Sequence, residues 1–364
     1  MASRQHSSNP QGGLTPSRLN PQGGQTPLRE VEGSDVVYLM STSGTTGSPR
    51  AAMLTRDGQW GNALGLALEQ RLSPEDVHLA TMPLYHVGGR ALVLSHTLRG
   101  CTVHLHDAFD ADAVAAEIER HRITTTQVVP TMIAWLLDAQ PRDLSSLRLI
   151  WYASAPMPVE LLRRGLERFG PIFVQGYGQT ESGPLATVLT PAEHDPGAEH
   201  LASAGRAVPG VEVRIEDGEI LIRSPFNMTG YWRNPELSAE TLKDGWLHTG
   251  DLGRLDERGY LYIVDRKKDL IISGGENIYP REVEEVLYAH PGVREAAVIG
   301  VPDEVWGESV KAVVVPVGDL APDELIAFCR TRLARYKCPK AVELRAELPR
   351  TPSGKVLKRE LRAS

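Results

Sequence analysis

The sequence predicts an α/β fold in layers, followed by a small β subdomain and an α+β domain at the C-terminus. Helical and strand-like stretches alternate through the middle of the 364-residue chain, which is typical of helices packed on a sheet. After about residue 205 the apolar stretches become short, and Asp217-Gly218 has the composition of a hairpin turn. The charged stretch 265–269 lies between two apolar strands, so we interpret it as a linker.

The elements follow in order along the chain. A short apolar run from Val36 to Met40 predicts a buried strand. Helical spacing of apolar residues predicts helices at 110–121, 161–169 and 323–333, and Pro280 marks the start of another. Further strands are predicted at 126–129, 171–174, 211–215, 219–223, 260–264, 293–301, 310–317 and 341–345.

Composition and charge disfavour several classes of protein. The formal net charge of −7 argues against a nucleic-acid partner, since nucleic-acid binders usually carry a basic face. The three cysteines are too few for a disulfide framework or a zinc site of cysteines, and they predict a reducing, cytoplasmic location. No apolar run approaches the roughly 20 residues of a membrane span, and the N-terminus lacks the apolar core of a signal peptide.

Residues 1–34 differ from the rest of the chain because they are rich in Ser, Pro, Gly and Gln. The octamer NPQGGLTP at 9–16 nearly repeats as NPQGGQTP at 20–27. Such a composition cannot bury enough apolar surface to offset its ordering entropy. The sequence therefore predicts a disordered tail before the folded core.

Five separated stretches carry candidate chemistry. In STSGTTGSPR, residues 41–50, six hydroxyl side chains and two glycines precede one arginine. Small residues allow backbone amides to approach phosphate oxygens, although the pattern GxxxxGK[ST] is absent. QGYGQTE follows a predicted strand, and ligands commonly bind at the carboxyl ends of strands in α/β sheets. The five stretches are 41–50, 175–181 (QGYGQTE), 246–251 (WLHTGD), 273–280 (SGGENIYP) and 349–355 (PRTPSGK).

These stretches, in this order, resemble the adenylate-forming (AMP-binding) superfamily, and most closely its acyl-CoA synthetase and fatty-acid–CoA ligase branch. The resemblance covers roughly residues 35–362. It implies an AMP-binding core at 35–265, with the small β subdomain at about 205–265, and a mobile α+β lid domain at 266–364. It also implies that ATP and Mg²⁺ activate a carboxylic acid, fatty or aryl, to an acyl-adenylate whose acyl group is transferred to the thiol of coenzyme A.

The resemblance implies roles for individual residues. Lys355, Thr180 and Glu181 would be catalytic, and Glu181 would also bind the metal. Lys355 would sit between the attacking carboxylate and the α-phosphate, where a cation stabilises the charge that develops. The nucleotide-binding residues would be Thr42, Ser43, Gly44, Thr45, Thr46, Gly47, Arg50, Ser154, Ala155, Pro156, Gln175, Gly176, Tyr177, Gly178, Thr180, Asp251, Arg266 and Lys355.

The remaining implied roles concern the acid, the thiol and the domain motion. Tyr85, His86, Val87 and Gly88 would line the acyl pocket, while Gly274 and Gly275 would line the coenzyme A tunnel and Lys268 would be the hinge. Arg50 stands where the family usually has lysine. Ser154 and Ala155 stand where glycines are common, and their bulk predicts a narrower pocket.

Two alternatives stay open at this point. The enzyme could load a carrier protein, which differs only in the thiol acceptor. Family members usually have a longer folded region before the phosphate loop, so the chain could also be a truncated, inactive nucleotide-binding homologue. The apolar faces that such a truncation would expose predict a homo-oligomer or a complementing chain.

Overall fold

The computed structural model describes residues 30–42, 50–351 and 354–362. Most of the predicted tail, and the residues Ser43 to Gly47 of the predicted phosphate loop, lie outside the described residues. Helices are labelled in chain order: α1 (Arg56–Glu69), α2 (Val87–Leu98), α3 (Ala111–His121), α4 (Pro130–Asp138), α5 (Val159–Phe169), α6 (Pro235–Thr241), α7 (Pro280–Tyr288), α8 (Pro322–Arg330) and α9 (Lys358–Arg362).

The strands fall into four sheets. Their bounds are β1 (Val36–Thr42), β2 (Arg50–Thr55), β3 (Val77–Ala80), β4 (Thr102–Leu105), β5 (Thr125–Val128), β6 (Leu149–Ala153), β7 (Phe173–Tyr177), β8 (Thr187–Leu189), β9 (Arg206–Ala207), β10 (Glu212–Glu216), β11 (Glu219–Arg223), β12 (Leu242–Lys243), β13 (Trp246–Leu255), β14 (Leu261–Arg266), β15 (Ile271–Ser273), β16 (Glu276–Ile278), β17 (Val293–Asp303), β18 (Gly307–Pro316) and β19 (Ala341–Leu344).

A seven-stranded sheet forms the centre of the chain, in the order β4-β3-β5-β6-β7-β8-β9. The strands from β4 to β7 are parallel, and β8 and β9 are antiparallel to their neighbours. Side chains of β6 alternate between two buried clusters: Trp151 packs with α1 and α2, whereas Tyr152 packs with α3, α4 and α5. Helices thus cover both faces, which confirms the predicted α/β class.

The first strand pairs only with β2, in a two-stranded antiparallel sheet. The prediction of a buried strand is wrong, since Val36, Val37, Tyr38 and Leu39 are 37–50% exposed. Only Met40 of this strand joins the core. An apolar run is buried only where other elements cover it. Here Arg90 of α2 contacts the Tyr38 ring, with its guanidinium carbon 3.9 Å from the ring centre, yet Tyr38 stays 37% exposed.

The small β subdomain is an antiparallel sheet in the order β10-β11-β13-β12, with β14 also paired to β13. Asp217 and Gly218 have φ values of 50° and 80°, so the predicted hairpin turn between β10 and β11 is confirmed. Its buried residues share a cluster with α1, α2 and β7. This packing fixes β13 beside the carboxyl end of β7.

The C-terminal unit has a sheet in the order β16-β15-β18-β17, with β19 parallel to β18. Helices α7 and α8 cover one face, and α9 covers the other. Strand β14 continues to Arg266, and Lys267–Asp269 form a single 3₁₀ turn before β15. The predicted linker at 265–269 is therefore shorter in the structure, because its first two residues belong to β14.

The C-terminal unit contacts the central region on two sides. Arg281 donates its backbone N–H to Asp265 Oδ2 across 2.9 Å and its guanidinium to the carbonyl of Ile263 across 2.6 Å. Val159, the first residue of α5, donates to Glu285 Oε2 across 3.3 Å. None of the helices among the described residues is long and apolar enough to cross a membrane.

Candidate active site

A cavity opens at the carboxyl ends of β5, β6 and β7, where the sequence places its second candidate stretch. Strands, the first turns of α2 and one C-terminal loop all contribute to its wall. The lining residues are Leu66, His86, Val87, Gly88, Ala91, Leu92, Gln127, Trp151, Ala153, Ser154, Gly176, Gly178, Gln179, Thr180, Pro184, Leu185 and Lys355.

This cavity collects predicted residues that are far apart in sequence. The nucleotide set contributes Ser154, Gly176, Gly178 and Thr180, and the C-terminal loop contributes Lys355. Three of the four predicted acyl-pocket residues, His86, Val87 and Gly88, lie in the same wall. The spatial grouping supports one site for an acid and a phosphate, although the individual roles stay predictions.

Lys355 reaches the cavity from a tight turn of the C-terminal unit. Thr351 N donates to the Lys355 carbonyl across 2.8 Å, and Lys355 N donates to the Thr351 hydroxyl across 3.1 Å. Gly354 has a φ of 83°, and a Cβ there would lie 2.9 Å from Val129 Cγ2. The turn therefore requires glycine to seat the lysine against the central sheet.

Burial lowers the pKa of Lys355 to about 8, and the nearby positive charge of Arg266 adds to this effect. Neighbouring carboxylates oppose the shift, Asp251 more than Glu181. The lowering by burial and by Arg266 thus exceeds the raising by the two carboxylates. A cation in this condition gains stability when a phosphate or carboxylate enters.

His86 caps the N-terminus of α2, since its Nδ1 accepts from Gly88 N across 3.2 Å. Burial, together with the nearby charge of Lys355, lowers the pKa of His86 to about 4. The ring is therefore neutral near pH 7 and carries its proton on Nε2, which makes that nitrogen a donor. A neutral hydrogen-bond donor on His86 beside the Lys355 cation suits the binding of a carboxylate group.

Asp251 lies in a buried hydrogen-bond network at the edge of the site. Its Oδ2 accepts from the Tyr177 hydroxyl across 2.9 Å and from Gln179 Nε2 across 2.8 Å. Arg266 Nε lies 3.2 Å from Asp251 Oδ1. Burial and the neighbouring Asp251 charge raise the pKa of Tyr177 well above its usual value, so the phenol stays protonated as a donor.

Tyr177 is almost fully buried in the cluster that joins β7 to the small β subdomain. Its neighbours Gly176 and Gly178 line the cavity, but the tyrosine itself is not among the lining residues. Its implied role in nucleotide binding stays a prediction.

Glu181 lies just after the Gly-Tyr-Gly turn, in a 3₁₀ turn at Thr180–Ser182. Its Oε1 accepts from the Tyr231 hydroxyl across 2.7 Å. The Arg50 guanidinium carbon lies 6.0 Å from the centre of the Tyr231 ring. A half-buried carboxylate beside the end of the phosphate loop fits a hard cation such as Mg²⁺, which prefers oxygen ligands.

The two ends of the predicted phosphate loop are adjacent, because Thr42 and Arg50 pair across β1 and β2. The loop residues Ser43, Gly44, Thr45, Thr46 and Gly47 lie outside the described residues. Ser154 follows β6 with a φ of 74°, a conformation that favours glycine. The structure thus gives a backbone reason why glycine is common at this position in the family.

Several predicted residues lie elsewhere. Tyr85 is 66% exposed in the turn before α2 and is not among the residues that line the cavity, so its role in the acyl pocket stays a prediction. Gln175 and Ala155 are half-buried and Pro156 is exposed, and all three lie outside the wall. Gly274 and Gly275 form the exposed turn between β15 and β16, where a Cβ on Gly274 would lie 2.6 Å from the Trp306 ring. Lys268 lies in the 3₁₀ turn between the two units.

Sequence reasoning missed four side chains of the site. Gln127 and Trp151 line the cavity from β5 and β6, Gln179 binds Asp251, and Tyr231 binds Glu181. The sequence of β5 is Thr-Thr-Gln-Val, so no surrounding apolar run marks its glutamine. We find no sequence signal for Tyr231 either, because only the tertiary fold brings it to Glu181.

Fold and site together define an AMP-forming acid–thiol ligase, which uses ATP, Mg²⁺ and coenzyme A. The family model "AMP-binding enzyme" matches residues 3–232, and "AMP-binding enzyme C-terminal domain" matches residues 282–355. The chain belongs to the AMP-binding enzyme family, in its acyl-CoA synthetase branch. The predicted class and cofactors are thereby confirmed.

The relatives share most of this chain. A feruloyl-CoA synthase of Amycolatopsis sp is 47% identical over 346 residues, which are 90% of this chain and 70% of the relative. A 2-succinylbenzoate–CoA ligase of Bacillus cytotoxicus is 40% identical over 341 residues, again 90% and 70%. The structure of o-succinylbenzoate CoA synthetase from Bacillus subtilis in complex with the acyl-adenylate OSB-AMP has a TM-score of 0.82 at 37% identity, covering 91% of this chain and 70% of that one.

Proposed function

We propose that this chain activates an aromatic carboxylic acid with MgATP and joins it to coenzyme A. The observation that carries the choice of acid is the wall of the cavity beside Lys355. Gly88 and Ala91 are small residues of this wall, and the Trp151 indole also lies in it. A Cβ on Gly176 would lie 2.4 Å from Trp151 Cζ2, so the indole lies directly over the strand.

An indole in the cavity wall offers a flat face on which a planar ring can stack, which favours an aromatic acid over an alkyl chain. Gln127 is one of several polar groups in this wall, and its amide can bond a ring substituent. The relatives named above act on feruloyl and 2-succinylbenzoate groups by their names, and both are aromatic. A fatty acid, which the sequence analysis kept as an alternative substrate, is therefore less favoured than an aromatic acid.

In the first half-reaction a carboxylate oxygen of the acid attacks the α-phosphorus of ATP. The bond between that phosphorus and the bridging oxygen breaks, and pyrophosphate leaves with the electron pair. Lys355 stabilises the charge on the equatorial oxygens, and Thr180 donates to the α-phosphate. The neutral His86 orients the acid without competing for its charge.

The nucleotide is held by the residues around Asp251. Asp251 accepts from the ribose hydroxyls, and Arg266, the most exposed of its present partners, turns to the ribose or phosphate. Thr42, Arg50 and the loop between them hold the β- and γ-phosphates. Mg²⁺, when bound by Glu181, offsets phosphate charge.

In the second half-reaction the coenzyme A sulfur attacks the carbonyl carbon, and AMP leaves with the electron pair of the broken C–O bond. We propose that the C-terminal unit first rotates about Lys268, so that Lys355 leaves and Gly274-Gly275 lines the thiol path. The exposed position and positive φ of both glycines suit close approach of an extended thiol arm. A reducing, cytoplasmic location stays a prediction, and it agrees with three cysteines that are all free.

The test is ATP–pyrophosphate exchange by the full chain with a panel of acids: substituted cinnamates, benzoates, medium-chain and long-chain aliphatic acids. We expect the highest kcat/KM with a substituted aromatic acid. Gln127→Leu should reduce the preference for hydroxylated over unsubstituted rings, whereas Gln140→Leu, on the surface, should leave it unchanged. Preference for an aliphatic acid contradicts the proposed substrate class, and no exchange with any acid contradicts the activity itself.

The acceptor is tested separately by stoichiometric acyl-CoA formation with free coenzyme A. Transfer to a carrier protein's phosphopantetheine arm at a much higher rate than to free coenzyme A would favour the alternative acceptor.

A further inference from the structure

Three potential metal ligands lie together at the edge of the central sheet, away from the cavity. His104 lies on β4, the edge strand, and Glu117 and His121 lie on α3. One ligand atom from each, two imidazole nitrogens and one carboxylate oxygen, all lie within 4.8 Å of one another. Strands β3 and β5 separate β4 from β6, which contributes to the cavity wall.

The helix places two of the three groups on one face, because Glu117 and His121 are four residues apart. His121 Nε2 lies 3.2 Å from Glu117 Oε2. The ring of His104 faces that of His121, with centroids 4.4 Å apart and an angle of 38° between the ring planes. All three side chains are half-buried, so their rotation is limited and water still reaches the cluster.

We propose that His104, Glu117 and His121 bind one Zn²⁺ ion, with water as the fourth ligand. In tetrahedral zinc sites the ligands lie about 2.0–2.2 Å from the metal, so that neighbouring ligand atoms are about 3.3–3.5 Å apart. The Glu117–His121 separation already matches this spacing. The ligand atom of His104 lies within 4.8 Å of the other two, and rotation of its side chain would complete the set.

The ligand set selects a transition metal rather than the Mg²⁺ of the reaction. Imidazole nitrogens bind Zn²⁺ well, whereas Mg²⁺ prefers oxygen ligands alone. The simpler interpretation is a histidine–carboxylate ion pair, but a half-exposed pair of that kind contributes little stability. An ion pair between Glu117 and His121 also gives no reason for the His104 ring to lie against the His121 ring.

A bound ion would connect the edge strand to the helix that covers it. Because the ion binds the folded chain, it shifts the folding equilibrium by mass action. The site is independent of the nucleotide, so zinc binding should stabilise the protein without changing the adenylation rate.

The experiment is isothermal titration of ZnCl₂ into the full chain, free of any affinity tag and stripped of metal with EDTA. We expect one Zn²⁺ per chain, with Kd raised about tenfold or more by His104→Gln or His121→Gln. His106→Gln is the matched control, because His106 is half-buried just after the same strand but outside the cluster. Unchanged affinity in both cluster variants, or equal loss in the control, overturns the proposal.

Two measurements on the unaltered chain guard against a variant that fails to fold. Co²⁺ in place of Zn²⁺ should give visible d–d bands without a thiolate charge-transfer band; a thiolate band would place the metal on cysteine and overturn the assignment. Zn²⁺ at about one hundred times Kd should raise Tm by a few degrees, and excess MgCl₂ should not replace it. Displacement of zinc by Mg²⁺ also overturns the proposal.

Discussion

Tyr177 donates its hydroxyl proton to Asp251 across 2.9 Å. The bond connects the last parallel strand of the central sheet to β13 of the small β subdomain. Both side chains are buried, so the carboxylate that is proposed to hold the ribose is oriented before any nucleotide arrives. Preorganised groups of this kind lower the cost of binding.

Tyr177→Phe removes the donor and keeps the ring. We expect the free energy of unfolding to fall by about 1–3 kcal/mol, since a buried charged acceptor loses one partner, and the KM for ATP to rise. The control is Tyr262→Phe, whose hydroxyl lies 3.4 Å from Asp256 in the same subdomain. Urea unfolding and ATP titration check both variants, and equal effects of the two changes would contradict the role of the Tyr177 bond.

The pKa of Lys355 predicts a pH dependence of adenylation. The side chain has a pKa of about 8 in the unliganded protein, so the charged form is lost as the pH rises through that value. We expect kcat/KM for ATP to decline above about pH 8. In Lys355→Arg the guanidinium keeps its charge, so this decline should move to higher pH even though the rate is lower. A decline at the same pH in the arginine variant contradicts the assignment.

His194 predicts a loss of stability in acid. Its Nδ1 lies 2.7 Å from the Thr190 carbonyl, and its Nε2 lies 3.1 Å from the Tyr152 hydroxyl. Both nitrogens are therefore satisfied in the neutral ring, with the proton on Nδ1. Burial lowers the pKa of His194 to about 4.

An unfolded histidine has a pKa of about 6.5, so between about pH 6.5 and 4 the unfolded chain binds a proton that the folded chain does not. Stability is thus present above pH 6.5 and is lost as the pH falls, by up to about 1.4 kcal/mol per pH unit from this residue. His194→Gln should make the acid side of the stability curve less steep in urea titrations at pH 7.5, 6 and 5. An unchanged slope would show that another group dominates.

Lys268→Pro tests the hinge. Proline fixes φ and removes the backbone N–H, so it should restrict rotation of the C-terminal unit. We expect transfer to coenzyme A from a premade acyl-adenylate to slow by about tenfold or more, while ATP–pyrophosphate exchange changes much less. Lys268→Ala separates loss of the charge from loss of backbone freedom. If both half-reactions of the proline variant match those of the alanine variant, Lys268 is not the hinge.

Local patterns in the sequence were enough for the α/β class and for many elements after residue 205, but in the middle region α1, α2, α4, β3, β4 and β6 were not predicted. The predicted strand at 171–174 is present as Phe173–Tyr177 and the helix at 323–333 as Pro322–Arg330. The type of each element is as predicted, and its ends differ by a few residues. The strand at Val36 failed as a buried strand, because burial depends on what packs against a side chain. No local pattern contains that information.

The candidate site likewise contains residues that the sequence identified and residues that it did not. The ordered motifs identified His86, Thr180 and Lys355, which line one cavity in the structure. These residues could be identified because turns and glycines surround them in the sequence. Gln127 and Trp151 were missed, since residues inside a strand carry no local mark of the ligand they face. Tyr85 precedes His86 but does not line the cavity, because adjacency in sequence does not fix the direction of a side chain in a turn.

The central claim is that Lys355 serves adenylate formation and then leaves the site. It is tested by measuring both half-reactions of Lys355→Ala, with Lys340→Ala, a surface lysine paired with Asp303, as control. We expect ATP–pyrophosphate exchange to fall by about 100- to 1,000-fold, while thiol transfer from a premade acyl-adenylate stays close to that of the unaltered chain. Equal loss in both half-reactions would contradict the claim.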